Sequence, residues 1–153
     1  MLFAFSVSSS NVSIPIMLET AENKLGVNNS VASFVIPLGV NINKNGTALM
    51  QGLAAVFIAH AYQIDLGLVG YLTIILVSTL ATIGTAGAIS SGVFTLAVVL
   101  KQIGVPIEGI ALILGVDRIV DMFRTVANVV SNTALACLVS KSTGQLDVEV
   151  YNL

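Results

Sequence analysis

The longest uncharged stretch of the sequence sets the first limit on the fold. Between Asp65 and Lys101 lie 35 residues without Asp, Glu, Lys or Arg. As one helix they would extend about 52 Å, which is well beyond the ~30 Å hydrocarbon core of a bilayer. The stretch must therefore fold back, and the small residues of Gly84–Gly92, near its middle, indicate where it bends.

Two arrangements satisfy this length. One is a re-entrant helical hairpin, which enters and leaves the membrane on the same side, and the other is two ordinary spans joined by a tight turn. The arm after the bend is short for a full span, because Lys101, Gly104 and Pro106 follow it closely. We therefore predict a hairpin over residues 66–105.

The composition indicates a membrane protein. Of the 153 residues, 56% are hydrophobic and 9% are charged, and the mean hydropathy is +0.96, whereas a typical soluble domain has about 25% charged residues. A net charge of −2 without a basic tract argues against nucleic-acid binding. The single cysteine, Cys137, excludes a disulfide-built domain and is interpreted as a small buried hydrophobe. Ser8–Ser10 have no histidine partner in sequence and the glycine-rich stretches fit no nucleotide motif, so neither an enzyme nor an organic cofactor is predicted.

Polar residues divide the first part of the chain. Residues 1–12 lack the basic start of a signal peptide, and a short helix is expected over Ser13–Lys24, ended by Gly26. Residues 27–64 form an apolar run that is interrupted by turn formers and amide side chains at Asn41–Thr47. A break in a membrane helix leaves backbone groups unsatisfied unless it faces protein or a wet cavity. The interruption is therefore predicted to lie at a functional site.

The last predicted helix, from near Gly109 to Lys141, has an arc of polar residues on an otherwise apolar surface. At 100° per residue the arc covers roughly 100° and contains Asp117, Asp121, Arg124, Asn128, Ser131 and Asn132. Charges inside a membrane helix are costly, and they usually line a binding site or pathway. Arg124 and Asp121 together suit the carboxylate and ammonium groups of an acidic amino acid. The alternative is an ion pair that only holds the helix against a neighbour.

Four motifs, in this order, resemble the dicarboxylate/amino acid:cation symporter family, which includes glutamate and aspartate transporters. Ser8–Pro15 resembles the serine-rich tip of the first hairpin of that family. Asn43-Lys44-Asn45-Gly46-Thr47 is similar to the Asn-Met-Asp-Gly-Thr motif. Ser78–Gly87 resembles the tip of the second hairpin, and Asp121–Val129 matches the eighth-helix pattern Asp-Met-x-Arg-Thr-x-x-Asn-Val. The resemblance extends over nearly the whole chain.

The resemblance implies an all-α integral membrane fold with broken helices and re-entrant hairpins, forming part of an elevator-type transport domain in a homotrimer. It implies the end of the first hairpin over residues 1–24, a broken helix over 27–64, the second hairpin or gate over 66–105, the polar helix over 109–141 and a cytoplasmic tail over 142–153. The substrate positions that it implies are Ser9, Ser10, Asn11, Thr47, Gly87, Asp121, Arg124, Thr125 and Asn128. The cation-site positions that it implies are Asn41, Asn43, Lys44, Asn45, Thr82, Ile83, Thr85, Asn128 and Asn132.

The sequence departs from the family pattern mainly at those cation positions. Asn45 and Asn132 stand where the family has carboxylates, Lys44 stands where it has methionine, and Asn41 replaces a threonine. An amide oxygen attracts a hard cation more weakly than a carboxylate does. A sodium site at Asn45 or Asn132 is therefore doubtful. We hypothesise that the Lys44 ammonium substitutes for a bound cation and weakens sodium coupling; alternatively, Lys44 points into a wet crevice and only one cation site is altered.

Relative to the family, the chain is expected to start inside the first hairpin, so the scaffold helices that would form the trimer are not expected within it. Either the protein is longer or the chain is a remnant. The predicted function is secondary active transport of aspartate, glutamate or related dicarboxylates in the cell membrane, which would be the inner membrane of a bacterium, with Na⁺ or H⁺ as the coupling ion. The alternatives are a regulatory membrane subunit with the same fold and a non-transporting fragment.

Overall fold

Helices make up the fold throughout the described part of the chain. The computed structural model describes residues 1–83 and 91–152. Its elements are α1 (Leu2–Val7), α2 (Ile14–Leu25), α3 (Asn29–Ile42), α4 (Asn45–Ala61), α5 (Gly67–Ile83), α6 (Ser91–Gln102), a 3-10 turn (Ile107–Ile110), α7 (Ala111–Leu114), α8 (Asp117–Ser142) and α9 (Val148–Tyr151). Between these helices the described residues form one isolated β-bridge, Val27 with Leu146, and no strand. The predicted all-α class is confirmed.

Local chemistry defines the turn between α2 and α3. Gly26 ends α2 in the left-handed region, at φ 65°, and its carbonyl oxygen accepts a hydrogen bond from the backbone N–H of Asp147 at 2.7 Å. The Asn28 side chain caps α3 by accepting from the backbone N–H of Ser30 at 2.9 Å. The Asp147–Gly26 bond also attaches the segment after α8 to the turn between α2 and α3.

The long polar helix begins later than the sequence predicted. It starts at Asp117 rather than near Gly109, because a 3-10 turn and the four-residue α7 occupy residues 107–114. Gly115 and Val116 separate α7 from α8, and glycine is about 1 kcal/mol less favourable than alanine inside a helix. The end of α8 at Ser142 lies one residue beyond the predicted Lys141.

The exterior of the fold is apolar, and several polar and charged side chains lie inside. Many large apolar side chains are exposed, such as Leu68 and Val69 at 76% and 77%, whereas Asp121, Arg124 and Asn132 are buried. Within residues 1–83 and 91–152, one helix, Asp117–Ser142, is long and apolar enough to cross a membrane, and Gly67–Ile83 and Gly92–Gln102 are shorter apolar helices. An apolar exterior over polar contacts is the pattern expected in lipid.

Two apolar clusters lie on either side of the break between α3 and α4. The first is formed by α1, α2, α3 and α8 and includes Ile36, Val40 and Ala136. The second is formed mainly by α4, α5 and α6 and includes Ile58, Val99 and Leu100. Because α8 packs along both α3 and α4, its polar face passes directly beside the break.

Candidate functional site

The break between α3 and α4 consists of Asn43 and Lys44. Their backbone angles, φ −89° and ψ 77° for Asn43 and φ −106° and ψ 51° for Lys44, leave the helical region. Helix ends carry backbone groups that have no partner within the helix. The first turn of α4 is therefore a place where side chains of a neighbouring helix can bind.

Asn128 of α8 binds this first turn directly. Its Oδ1 accepts from the backbone N–H of Gly46 at 2.9 Å, and its Nδ2 donates to Oγ1 of Thr47 at 3.0 Å. The approach requires glycine, because a Cβ at Gly46 would lie 2.7 Å from the carbonyl oxygen of Arg124 and 2.8 Å from Cβ of Ala127. Both ends of one buried carboxamide thus dock α4 onto α8.

A second contact lies one turn further along α8. Asn43 Nδ2 and Asn45 Nδ2 both donate to Oγ of Ser131, each at 2.9 Å. One residue of α8 therefore bridges both sides of the break. Ser131 belongs to the polar arc predicted for this helix, but it was not predicted as a site residue. Its position one turn beyond Asn128 was the available signal.

Asp121 and Arg124 form a buried ion pair within α8. They are 4% and 7% exposed, Nε of Arg124 donates to Oδ1 of Asp121 at 3.0 Å, and Nη2 donates to the same oxygen. The pair does not join α8 to another helix. Its bonds involve one oxygen of the carboxylate and two of the five N–H donors of the guanidinium. Nη1 of Arg124 lies against Gly92 of α6, where a Cβ would collide with it.

The remaining predicted substrate residues differ in their exposure. Ser9, Ser10, Thr47 and Thr125 are buried, whereas Asn11 is exposed. The hydroxyl of Thr125 donates to the carbonyl oxygen of Asp121 at 2.8 Å. The contact of Phe5 with Phe123, with ring centroids 5.3 Å apart and nearly perpendicular, holds α1 against α8. Gly87 lies outside the described residues.

Four of the predicted cation positions, Lys44, Asn45, Thr82 and Ile83, line one cavity between α4 and α5, and Asn41 does not line it. Asn41 is exposed and donates from Nδ2 to the carbonyl oxygen of Pro37 at 2.9 Å, within its own helix. Lys44 is 6% exposed. Thr82 is buried and donates to the carbonyl oxygen of Thr79 at 2.8 Å. Ile83 is exposed, and Thr85 lies outside the described residues.

Asn132 is the most unusual of these positions. Its side chain is completely buried, yet neither Oδ1 nor Nδ2 has a hydrogen-bond partner among the described residues. It packs against Gly39 of α3, where a Cβ would lie 2.5 Å from Oδ1. An unpartnered buried amide costs about 1–3 kcal/mol for each group left unsatisfied.

The side chains present do not fit a sodium site built on carboxylates. Asn45 and Asn132 offer amide oxygens without negative charge, and the Asn45 amide donates from Nδ2 to Oγ of Ser131. Within residues 1–83 and 91–152, no three His, Cys, Asp or Glu side chains come together in a group that could hold a metal ion.

Two further polar residues were missed by the sequence analysis. Gln51 of α4 donates from Nε2 to Oγ1 of Thr95 on α6, and both side chains are buried. Ser78 of α5 is also buried, and its Oγ has no hydrogen-bond partner among the described residues. Ile74, Ser78 and Thr82 recur every four residues on the inner face of α5, and this spacing was the available signal.

Comparisons with known proteins give the family. The model of the sodium:dicarboxylate symporter family matches residues 1–142. The chain is 40% identical over 149 residues to the proton/sodium-glutamate symport protein of Geobacillus stearothermophilus, covering 97% of this chain and 35% of that protein. It is 39% identical over 141 residues to excitatory amino acid transporter 3 of Homo sapiens, covering 92% and 27%. It is 41% identical over 126 residues to neutral amino acid transporter B(0) of Mus musculus, covering 82% and 23%.

The chain thus spans about a third, or less, of the length of these relatives. The family match nevertheless covers almost all of the chain, including α1, the broken helix α3–α4 and the polar helix α8. Taken with the helical fold and its buried polar contacts, the match shows that the chain belongs to the sodium:dicarboxylate symporter family, a family of membrane transporters.

Proposed function

We propose that this chain is the substrate-binding part of a secondary active transporter for aspartate, glutamate or related dicarboxylates. The observation that supports this most directly is the buried Asp121–Arg124 pair beside the break between α3 and α4. A substrate with a side-chain carboxylate and an ammonium group complements both charges, since it pairs with the guanidinium donors that Asp121 does not use and with the second carboxylate oxygen.

The surrounding polar groups would complete the pocket. Thr47 and Asn128 are already hydrogen-bonded to each other at the first turn of α4, and Thr125 lies one residue after Arg124. Ser9 and Ser10 are buried beside the start of α2, and the family resemblance assigns them, with Asn11 and Gly87, to the substrate carboxylate. A preorganised site of this kind lowers the entropy cost of binding.

Movement of the site across the membrane is proposed to follow the elevator mechanism that the family resemblance implies. The first hairpin, the broken helix, the second hairpin or gate and the polar helix would carry the substrate as one body, and a homotrimer would supply the fixed scaffold in the cell membrane. The exposed apolar side chains on α5, such as Leu68, Val69 and Leu72, provide the lipid-facing or scaffold-facing surface that such a body needs.

Sodium coupling is proposed to be reduced. Carboxylates at positions 45 and 132 would attract a hard cation strongly, and this chain has amides at both. Lys44 is buried at the break, where its ammonium supplies a positive charge as part of the protein. The Lys44 ammonium would then take the place of a cation that would otherwise bind from solution.

Aspartate binding tests both parts of the proposal. The protein, purified from its own membrane in a mild detergent, is titrated with aspartate in sodium chloride and in choline chloride. We expect binding in both salts, with affinities that agree within about threefold, because little coupling free energy connects the two ligands. If neither aspartate nor a dicarboxylate binds in sodium chloride or in choline chloride, the substrate assignment is contradicted. Binding without uptake into vesicles would indicate the regulatory or non-transporting alternative.

A double variant tests whether Lys44 and Asn45 determine how strongly aspartate binding depends on sodium. Lys44→Met combined with Asn45→Asp should introduce sodium dependence of at least about fivefold in aspartate affinity. The matched control is Asn23→Asp with Lys24→Met, which makes the same two exchanges at exposed residues of α2. Strong sodium dependence in the unaltered protein would show that the amides still hold the ion and would contradict the role given to Lys44.

A further inference from the structure

Ser131 of α8 joins the two sides of the helix break through a single oxygen atom. Asn43 and Asn45 flank Lys44 in the sequence, with Asn43 after the end of α3 and Asn45 at the start of α4. The Oγ atom of Ser131 accepts a hydrogen bond from Nδ2 of Asn43 and another from Nδ2 of Asn45, each at 2.9 Å. Three helices, α3, α4 and α8, are therefore connected at this one hydroxyl group.

The chemistry of a hydroxyl group determines how the two amides are turned. A serine oxygen has two lone pairs and one hydrogen, and the N–H groups of Asn43 and Asn45 occupy both lone pairs. One hydroxyl hydrogen cannot serve two amide oxygens, so at least one of the two amides must turn its N–H group toward Ser131. A hard cation needs the oxygen end of an amide. Ser131 therefore draws to itself the ends of these side chains that a cation does not bind.

Asn128, another of the predicted cation positions, is also engaged within the protein. Its Oδ1 accepts from the backbone N–H of Gly46, and its Nδ2 donates to Oγ1 of Thr47. The contacts made by Ser131 and Asn128 thus fix the start of α4 on α8 over residues 45–47. Thr47, a proposed substrate residue, lies two residues after Asn45, so the position of Asn45 bears on the geometry of the substrate site.

A cation bound at a helix break makes two separate contributions. It supplies positive charge, and it holds oxygen ligands from both sides of the break around one centre. The side chains present do not fit a sodium site built on carboxylates, because positions 45 and 132 are amides. In the proposed function, the Lys44 ammonium supplies the positive charge. The hydrogen bonds of Ser131 hold the two sides of the break together, which is the second contribution.

We propose that Ser131 is a positioning residue that closes the helix break in place of a bound cation. This inference rests on the proposed function, because it explains how the substrate site keeps its shape when sodium coupling is reduced. Ser131 acts through Asn43, Asn45 and the first turn of α4, and it does not contact the substrate. Without its hydroxyl group the two amides lose their common acceptor and are free to turn their oxygen atoms toward a sodium ion.

Aspartate titrations of Ser131→Ala, in sodium chloride and in choline chloride of equal ionic strength, test the proposal. In choline chloride the variant should bind aspartate about tenfold more weakly than the unaltered protein, and in sodium chloride within about threefold of it. The reason is that sodium restores the connection that the hydroxyl group made. An equal loss of affinity in both salts would indicate an ordinary structural contact and overturns the proposal, as does unchanged affinity in both.

Three further variants show whether the effect belongs to the hydroxyl group at position 131. Ser131→Thr keeps a hydroxyl group and should bind aspartate equally well in both salts. Ser131→Cys keeps the size of the side chain with a weaker acceptor, so it should gain about threefold sodium dependence, and it replaces Ser131→Ala if that variant does not fold. Ser142→Ala is the matched control, because its hydroxyl donates to the Val139 carbonyl within α8. Sodium dependence in Ser131→Thr or Ser142→Ala overturns the assignment.

Thermal unfolding without aspartate separates this inference from the proposed function. Sodium should raise the Tm of Ser131→Ala by at least about 2 °C more than that of the unaltered protein, because an ion that binds only the folded state stabilises it. An equal sodium effect on both proteins overturns the role of Ser131, whether or not aspartate binds. Strong sodium dependence of the unaltered protein overturns the reduced coupling and this inference with it. Failure of aspartate binding alone contradicts only the substrate assignment.

Discussion

Two stretches of the same helix, α8, differ in how their buried polar side chains are hydrogen-bonded. On α8, Asp121, Arg124 and Asn128 are buried and hydrogen-bonded to described partners. Asn132 and Ser140, one and three turns further on, are buried to the same degree, yet their polar side-chain atoms have no hydrogen-bond partner among the described residues. The side chains are therefore buried in both stretches, but only those of the first stretch have hydrogen-bond partners among the described residues. At similar burial, Asn132 has an unsatisfied amide, whereas Asn128 has a satisfied one.

The largest expected effect is a loss of aspartate affinity at Arg124, in the part of α8 whose polar side chains are hydrogen-bonded. Arg124→Met should lower aspartate affinity about a thousandfold, or ~4 kcal/mol, because the substrate carboxylate loses its ion partner and Asp121 keeps an uncompensated charge. Titration calorimetry measures the change, and Arg118→Met, at an exposed residue of the same helix, is the control. Unchanged aspartate affinity would show that Arg124 does not bind the substrate.

The next effect concerns the bonds that dock α4. Asn128→Leu keeps the approximate size of the side chain but leaves the Gly46 N–H and Thr47 hydroxyl without Asn128, so it should lower the free energy of unfolding by about 2–3 kcal/mol. Thermal unfolding in detergent measures it. Thr133→Ala, which removes only a bond to the Val129 carbonyl within α8, should cost less than about 1 kcal/mol. Equal losses of stability in the two variants would mean that the bonds from Asn128 to α4 stabilise the fold no more than a bond within α8 does.

A smaller loss of stability is expected where Gly39 of α3 contacts Asn132 of α8. A Cβ at Gly39 would lie 2.5 Å from Oδ1 and 3.2 Å from Cγ of Asn132, so Gly39→Ala should destabilise by about 1–2 kcal/mol through overpacking. In the Asn132→Ala background the cost should fall, which a double-mutant cycle measures. Gly52→Ala is the control, since its Cβ would meet only Ile74 at 3.7 Å. Strictly additive effects would show that the two residues do not constrain each other.

The smallest effect has the opposite sign. Asn132→Leu should raise the free energy of unfolding by up to about 1 kcal/mol, because it replaces two unpartnered polar atoms by an apolar group of similar shape. The same exchange at position 128 destabilises, so the pair compares the two stretches of α8 directly. Both variants are measured by thermal unfolding under one set of conditions. Destabilisation at position 132 would indicate that the Asn132 amide is hydrogen-bonded in the membrane, for example to water.

Patterns along the chain predicted much of the fold. The charge composition indicated a membrane protein, and the 3.6-residue period placed Asp121, Arg124, Asn128 and Asn132 on one helix face. The turn formers at 41–47 predicted an interruption, and the structure has α3 end at Ile42 and α4 begin at Asn45. The start of α8 was misplaced, because an apolar run across residues 109–116 has no periodic signal that distinguishes a 3-10 turn from the first turns of a long helix.

The sequence alone determined the class of the protein and the position of the helix break, because both follow from residue type and spacing. Only the tertiary structure decided that Asn128 is satisfied by Gly46 and Thr47, that Ser131 bridges the break and that Asn132 faces Gly39. Lys44 and Ser78 likewise meet in one cavity only through the packing of α5 on α4. The physical reason is that hydrogen-bond partners lie on different helices, whose relative register no local pattern specifies.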